Sequence, residues 1–538
     1  MGARRRRGGW ASKARAAVGT RISGLSRWHR SAGRVADPAL ALLLGLLTIQ
    51  TRRPYKLRLP YAWDSFLYIR ALGHFDPTIH QPQPPGYLLY VATARLLLLW
   101  VGDPNRALVW VSILASGVAV AALYLLARLL YDRVTGLVAA GLLLTAVTFW
   151  FYGEVAYPYT TLAAGSIILA ALALALRRGA LPGARGVALF ACAYGLLAGF
   201  RQDLLLFLAP LALAALWSRP RRHWLLAAAV GGLGLLLWLV PTAILSGGLA
   251  AYLRATLEQG TAASGEASPL THGLPGLAHN ARTLAIFLWR GLAVALLPLG
   301  YYGLRRLVLR RTPDPALPGV LLWLIPPLAY YLLGHLGDYG YTLSLLPALL
   351  VLSARGVVLA ARDLRALGAV AWTRGGGVRP PGALGHAGGL LLALLLGAAV
   401  AGADAGLFLG RDTQFSVAGI ACFDTTMRAR LARTRALFPP GETLIFSAGY
   451  YQHVRTYLPA YRAWLYAPDD PASRTRAIPA GTRYLLLFDE EAHPAAGQIA
   501  FDRFILPCNG VPFWYATVRA GAVARYHPTA ATVTVQGP

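Results

Sequence analysis

Long apolar runs separated by short polar or basic connectors fill the first 410 residues. Runs with the composition of membrane helices fall at roughly 37–51, 85–101, 107–131, 134–151, 158–176, 185–200, 203–217, 223–246, 283–304, 318–335, 341–361 and 387–409. A helix needs about 20 apolar residues to cross the hydrocarbon core, with about 17 a practical floor, so several of the twelve are short. From about residue 411 the pattern changes. DTTMRARLARTRALF (424–438) has helical spacing, and ETLIFS (442–447), YRAWLY (461–466), TRYLLLF (482–488) and FWYATV (513–518) read as short strands. Helix alternating with strand predicts a small α/β domain, and residues 410–538 are long enough to bury a core.

Charge orients these elements. Arginine-bearing connectors (Arg128/Arg133, Arg177/Arg178/Arg185, SRPRRHW at 218–224, RRLVLRR at 305–311, and Arg355 to Arg379) alternate with poorly charged ones (GEVAYPY at 153–159, 247–282, and GHLGDYGY at 334–341). Basic connectors belong on the cytoplasmic side. With the N-terminus inside, the alternation works only if one early run does not cross. The run at 85–101 begins at Pro84-Pro85-Gly86 and ends before Gly102-Asp103-Pro104, so it reads as a juxtamembrane or re-entrant helix. The expected architecture is a polytopic α-helical membrane protein of about eleven spans. Residues 1–36 form a basic cytoplasmic tail, 37–409 a membrane region with 52–106 as its first extracytoplasmic loop, and 410–538 an extracytoplasmic α/β domain.

Composition agrees. The chain of 538 residues is 56% hydrophobic and 14% charged, against about 25% charged in soluble domains. Its formal charge of +29 is carried almost wholly by arginine, Lys13 and Lys56 being the only lysines. These charges lie between apolar runs, which assigns them to topology and gives no nucleic-acid partner. Of three cysteines, Cys192 lies in an apolar run. Cys422 and Cys508 lie in the C-terminal region, where an extracytoplasmic location would let them pair.

Ionisable groups at membrane depth call for a functional hypothesis, and several fall on the predicted outer face. Asp64, in YAWDS, is placed to act as a general base at the bilayer surface; its plain alternative is a helix N-cap. Glu154, between aromatics and Tyr157-Pro158, is a second carboxylate able to orient an acceptor or hold a cation; otherwise it is a polar helix end. Arg201 and Asp203 interrupt LLAGFRQDLLLFLAPL, either as a mutual ion pair or with Arg201 offering its fork to a phosphate. His335, Asp338, Tyr339 and Tyr341 form a polar turn suited to a phosphate or sugar, or simply a capped turn. Arg290 is a further outer-side cation. His74, Asp76 and His80 match no metal-ligand spacing, so no metal ligand is assigned.

The order of these parts resembles a known family. An Asp shortly after the first span, then HQPQPPGYLLYV (80–91), then ALVWVSILASGVAVAALYLLARLLYDRVTGLVAA (107–140), and later HLGDYGYTLSLLPALLVL (335–352), resemble the GT-C superfamily of membrane glycosyltransferases. The likeness is to its protein O-mannosyltransferase-like and aminoarabinose-transferase-like members, over roughly 37–409. The resemblance implies a bacterial inner-membrane enzyme that passes a sugar from a polyprenyl-phosphate carrier to a glycan, lipid or protein acceptor. Asp64 would be its base and Glu154 its second acidic residue. Arg201, Arg290, His335, Tyr339 and Tyr341 would hold the lipid phosphate, and His80, Gln83, Tyr87 and Tyr157 would position acceptor or loop. The chain departs from many relatives in having Gln83 where they carry a lysine before the Pro-Pro pair, and a single first-loop Asp where they carry an acidic pair. A divalent cation, Mg or Mn, is therefore optional. A transporter or flippase is the alternative from another class. It would place polar groups near mid-membrane on several spans, whereas here they gather at one face.

Overall fold

A computed structural model describes residues 36–538 apart from 266–267, 308–312, 375–381, 411–413, 467–469, 496–498, 509 and 538. The basic N-terminal tail lies outside the described residues. The protein is a polytopic α-helical membrane protein with a small C-terminal α/β domain. Five of the described helices are long and apolar enough to cross a bilayer: Pro104–Leu130, Tyr159–Arg177, Arg221–Leu245, Pro269–Leu307 (which is interrupted at 293–295) and Ala387–Leu409. Shorter apolar helices fill the bundle between them, among them Arg133–Thr145, Gly183–Leu197, Asp203–Leu216 and Leu317–Leu333. Leu88–Val101, the run assigned to the juxtamembrane layer, is a helix of 14 residues. It rises only about 21 Å, short of the ~30 Å hydrocarbon core.

Packing sorts these helices into a centre and a rim. Pro104–Leu130 and Tyr159–Arg177 pack on each other and are mostly buried. Arg221–Leu245 lies at the rim, with Leu225, Leu233, Leu236 and Leu237 exposed as a lipid-facing helix requires. It joins the bundle through Gly183–Leu197 at small residues. A Cβ on Gly195 would stand 2.1 Å from the Gly231 carbonyl oxygen, and the Trp238 indole donates to the Gly195 carbonyl at 2.8 Å.

The basic connectors meet at one end of the bundle. Asp37 takes Arg128, Arg133 (2.7 Å) and the Tyr124 hydroxyl (2.8 Å). Asp132 faces Arg355 and Arg362, and Asp363 binds Arg305 at 2.8 Å. Arg178 and Arg219 donate to the carbonyls of Leu129 and Leu176 at the same end. The polar connectors 153–158 and 334–344 lie at the other end, beside the C-terminal domain.

That domain begins with the helix Val417–Leu437. Its strands are β1 Thr443–Ser447, β2 Arg462–Leu465, β3 Thr475–Ala477, β4 Tyr484–Leu487, β5 His493–Pro494, β6 Asp502–Ile505, β7 Pro512–Thr517, β8 Val523–His527 and β9 Thr532–Gln536. One sheet runs β2-β1-β4-β7-β6, parallel from β2 to β4 and antiparallel beyond; the other runs β3-β8-β9-β5. β1 is buried along its whole length, the burial expected of a central parallel strand, and the short helix Tyr451–Tyr457 follows it. The four strands read from the sequence are β1, β2, β4 and β7. A disulfide between Cys422 and Cys508 ties the Val417–Leu437 helix to the β6–β7 connection.

Candidate active site

The first loop leaves the 36–52 helix, runs along the bundle, and turns into the helix Trp63–Gly73. Asp64 lies in its first turn. The N-cap is Ala62, and no side chain caps the helix, so the N-cap reading of Asp64 does not hold. Its half-buried carboxylate makes no hydrogen bond or ion pair among the described residues. Burial, and then the like charge of Asp338, push it up to about 6, with Arg201 pulling the other way.

Asp338 reaches the same space from the turn after Leu317–Leu333. Its Oδ1 caps the 3-10 helix Tyr339–Ser344, accepting from the Gly340 amide at 2.8 Å and from the Tyr152 hydroxyl. Burial raises its carboxyl, and those two donors oppose the shift. Gly340 is required here by close approach: a Cβ would lie 2.0 Å from the Tyr159 ring.

Arg201 lies in the break between Gly183–Leu197 and Asp203–Leu216 and is only 4% exposed. It binds Asp203 at 2.7 Å, so the mutual ion pair read from the sequence is present. The same guanidinium also lies over three tyrosine rings, Tyr87 at 4.9 Å, Tyr159 at 5.3 Å and Tyr341 at 5.5 Å. Tyr157 stacks on Tyr159 at 5.2 Å. Gln83 donates to the Tyr68 hydroxyl at 3.0 Å, with its own Oε1 buried and unpartnered, and the Tyr68 ring lies 6.1 Å from Tyr87.

Other predicted residues lie at the edge of this cluster or outside it. Arg290 donates to the Tyr339 hydroxyl at 2.6 Å and lies over the Tyr339 and Phe415 rings. His335 has its ring 6.0 Å from Tyr341 and lines a cavity of about 530 Å³ with His272, His279, Phe287 and Gly337. His80 is exposed on a left-handed turn and joins none of these groups. Glu154 is fully buried elsewhere. Its Oε1 accepts from the Trp150 indole at 2.8 Å, and Arg52 is the main cation acting on it. The carboxylate whose charge acts on Asp64 is Asp338. The sequence put Asp338 in a polar turn without pairing it to Asp64, because the two are far apart in the chain. Tyr152 and Tyr159 also escaped notice; the aromatic density of FWFYGEVAYPY was the available signal. Among the described residues no group of three or more His, Cys, Asp or Glu side chains is placed to hold a metal ion.

A half-buried free carboxylate, a second carboxylate and a buried guanidinium within a tyrosine cluster thus gather at the end of the bundle beside the C-terminal domain. Residues 83–246, which include Gln83, Tyr87, Glu154, Tyr157 and Arg201, match the sequence model of the family described as dolichyl-phosphate-mannose-protein mannosyltransferase. That match bears out the resemblance to GT-C membrane glycosyltransferases over the segment it covers. Among solved structures, the chain is similar to ArnT from Cupriavidus metallidurans bound to undecaprenyl phosphate. The identity is 14%, covering 90% of this chain and 98% of that one, with a TM-score of 0.48. It is also similar to the archaeal oligosaccharyltransferase AglB from Archaeoglobus fulgidus in complex with an inhibitory peptide and a dolichol-phosphate. There the identity is 13%, covering 90% and 74%, with a TM-score of 0.45. No protein of curated function matches the chain by sequence.

Proposed function

We propose that this protein is an integral membrane glycosyltransferase that moves a sugar, hexosyl or pentosyl, from a polyprenyl-phosphate carrier to an acceptor hydroxyl on a glycan, lipid or protein. The observation that carries this is the unpartnered Asp64 carboxylate beside Arg201 and its tyrosines. Asp64 takes the proton of the acceptor hydroxyl as that oxygen bonds to the anomeric carbon. The bond from that carbon to the carrier phosphate breaks on the opposite face, which inverts the configuration. The carrier leaves as a phosphate monoester with one more negative charge. Fixed positive charge and hydroxyl donors stabilise that charge as it forms, and Arg201, Tyr87 and Tyr341 are the groups assigned to it. Arg290, Tyr339 and His335 border the path by which the lipid phosphate reaches the cluster from the membrane. Glu154 is assigned to holding the loop, and Gln83 and Tyr157 to supporting the tyrosines.

A divalent cation would add positive charge at the leaving phosphate. Mg²⁺ commonly takes one or two carboxylates, with water and phosphate oxygens completing its shell, and Asp64 and Asp338 are ligands of that kind. No step is assigned to it.

The site is assigned to the extracytoplasmic face of a bacterial inner membrane, with the N-terminus cytoplasmic, residues 37–409 catalytic and 410–538 outside. Two features support this orientation. The basic connectors gather at the end of the bundle away from the site, and the C-terminal domain carries a disulfide, a bond that persists in oxidising compartments. The test is incubation of the purified protein in lipid with a panel of radiolabelled polyprenyl-phosphate sugars and envelope extract as acceptor. Label moving into acceptor, with free polyprenyl phosphate released, is the expected result. Carrier that stays intact across the panel would overturn the proposal.

A further inference from the structure

The backbone leading to Asp64 is held from outside at four consecutive residues. The Leu57 amide donates to the Glu154 carbonyl at 3.0 Å, and the Arg58 and Leu59 amides donate to the two oxygens of Asp424 at 3.0 and 3.1 Å. The Pro60 carbonyl accepts from His453 Nε2 at 2.8 Å. Asp424 and His453 both belong to the C-terminal domain. The same domain holds the Trp63–Gly73 helix on both sides of Asp64: Tyr451 stacks on Trp63, and Gln452 accepts from Arg70.

The chemistry of His453 is well defined. A carbonyl oxygen only accepts, so Nε2 carries the hydrogen and Nδ1 keeps a lone pair. Nδ1 is buried and has no partner among the described residues. The ring is fully buried against Phe66 at 4.6 Å and Tyr450 at 5.3 Å. Burial lowers the imidazole to about 4; the hydrogen bond to Pro60 opposes that shift, and nearby Arg430 adds to it. A neutral donor, committed to one carbonyl with its other nitrogen unsatisfied, has a hydrogen-bonding cost that core packing alone does not explain, since a phenyl ring would fill the same space. Among the described residues its one hydrogen bond is to Pro60, in the segment that leads into Asp64.

We propose that the C-terminal domain is a working part of the active site, with His453 a positioning residue that fixes the Pro60 carbonyl and, through it, the place of Asp64. This rests on the transferase reading above. A shift of about 1 Å at a reacting group can cost on the order of 10²-fold in rate, so a hydrogen bond that fixes Pro60, four residues before Asp64, is close enough to matter.

The test compares His453→Phe, which keeps the ring and loses the donor, with His453→Gln, which restores an N–H. Transfer kinetics and hydrogen–deuterium exchange are read in each full-length protein. Expected for His453→Phe are a kcat at least about tenfold lower with donor KM unchanged, and faster exchange confined to 58–66. Expected for His453→Gln is recovery of both. Wild-type kcat in His453→Phe, or unchanged exchange over 58–66, would overturn the proposal. So would faster exchange across strands β1 and β4, which would make the histidine a packing residue. A wild type that transfers nothing defeats the transferase reading instead, and the exchange comparison still decides whether His453 holds the loop.

Discussion

Asp64 and Glu154 begin alike, as carboxylates near the same membrane face, and the fold treats them in opposite ways. Glu154 is wholly buried: its Oε1 accepts from the Trp150 indole, its Oε2 has no partner among the described residues, and Arg52 acts on it as a nearby cation. Arg52 itself donates to the Leu144 carbonyl at 2.6 Å and lies 4.6 Å over the Trp150 ring. Asp64 keeps part of its surface open and has no partner among the described residues, while Asp338 and Arg201 act on its charge in opposite directions. A fully buried carboxylate held by an indole donor and acted on by a buried arginine is closed to a reactant, and its removal is felt as lost stability. One left half-exposed and without a partner among the described residues is available to a reactant. Placement, and not residue type, separates the two.

The comparison breaks most visibly at Asp64. Asp64→Asn is expected to lower transfer by about 10²–10⁴-fold with folding intact, as removal of a general base does, measured by initial rates at matched protein. Arg201 comes next. Arg201→Gln is expected to cost about 10²–10³-fold in kcat, the scale for losing one group that stabilises developing charge. Arg201→Lys should recover only part of it, because a lysine cannot stack in the same box of tyrosines. Gly340→Ala tests the scaffold. The Cβ clash with Tyr159 should displace Asp338 and lower thermal stability, read by melting in detergent. Asp338→Asn removes the like charge beside Asp64, so the acidic limb of the rate profile should move to lower pH. Glu154→Gln should have the smallest effect on chemistry. Its kcat should stay within about threefold of wild type while thermal stability falls, because the loss leaves Arg52 buried without its counter-charge.

Much of this was legible from the sequence. The apolar runs, the polar face they leave, and the strands β1, β2, β4 and β7 follow from periodicity and charge alone. The basic connectors were expected on one side, and Arg128, Arg178, Arg219, Arg305 and Arg355 do meet at one end. Asp64 and Arg201 stood out because a charge in an apolar surrounding is costly. The partnership of Asp64 with Asp338 was hidden, since 274 positions separate them and only packing brings them together. The role of Glu154 was hidden because burial and the Trp150 contact depend on a helix end whose depth no pattern reports. β8 and β9 were missed for a related reason: VARYH and TVTVQ are short and half polar, and gain strand structure from pairing with each other. His453 and Asp424 lie in segments that look like any polar helix until the first loop is docked on them.

The most direct measurement is kcat/KM for sugar transfer as a function of pH, in wild type and in Asp338→Asn. With Asp64 as base, held up to about 6 by burial and by Asp338, wild-type activity should fall tenfold per pH unit below that value as the carboxylate takes up a proton. The limb should shift to lower pH in Asp338→Asn. A wild-type profile that stays flat from about pH 4.5 to 8 would contradict the assignment of Asp64 as the base.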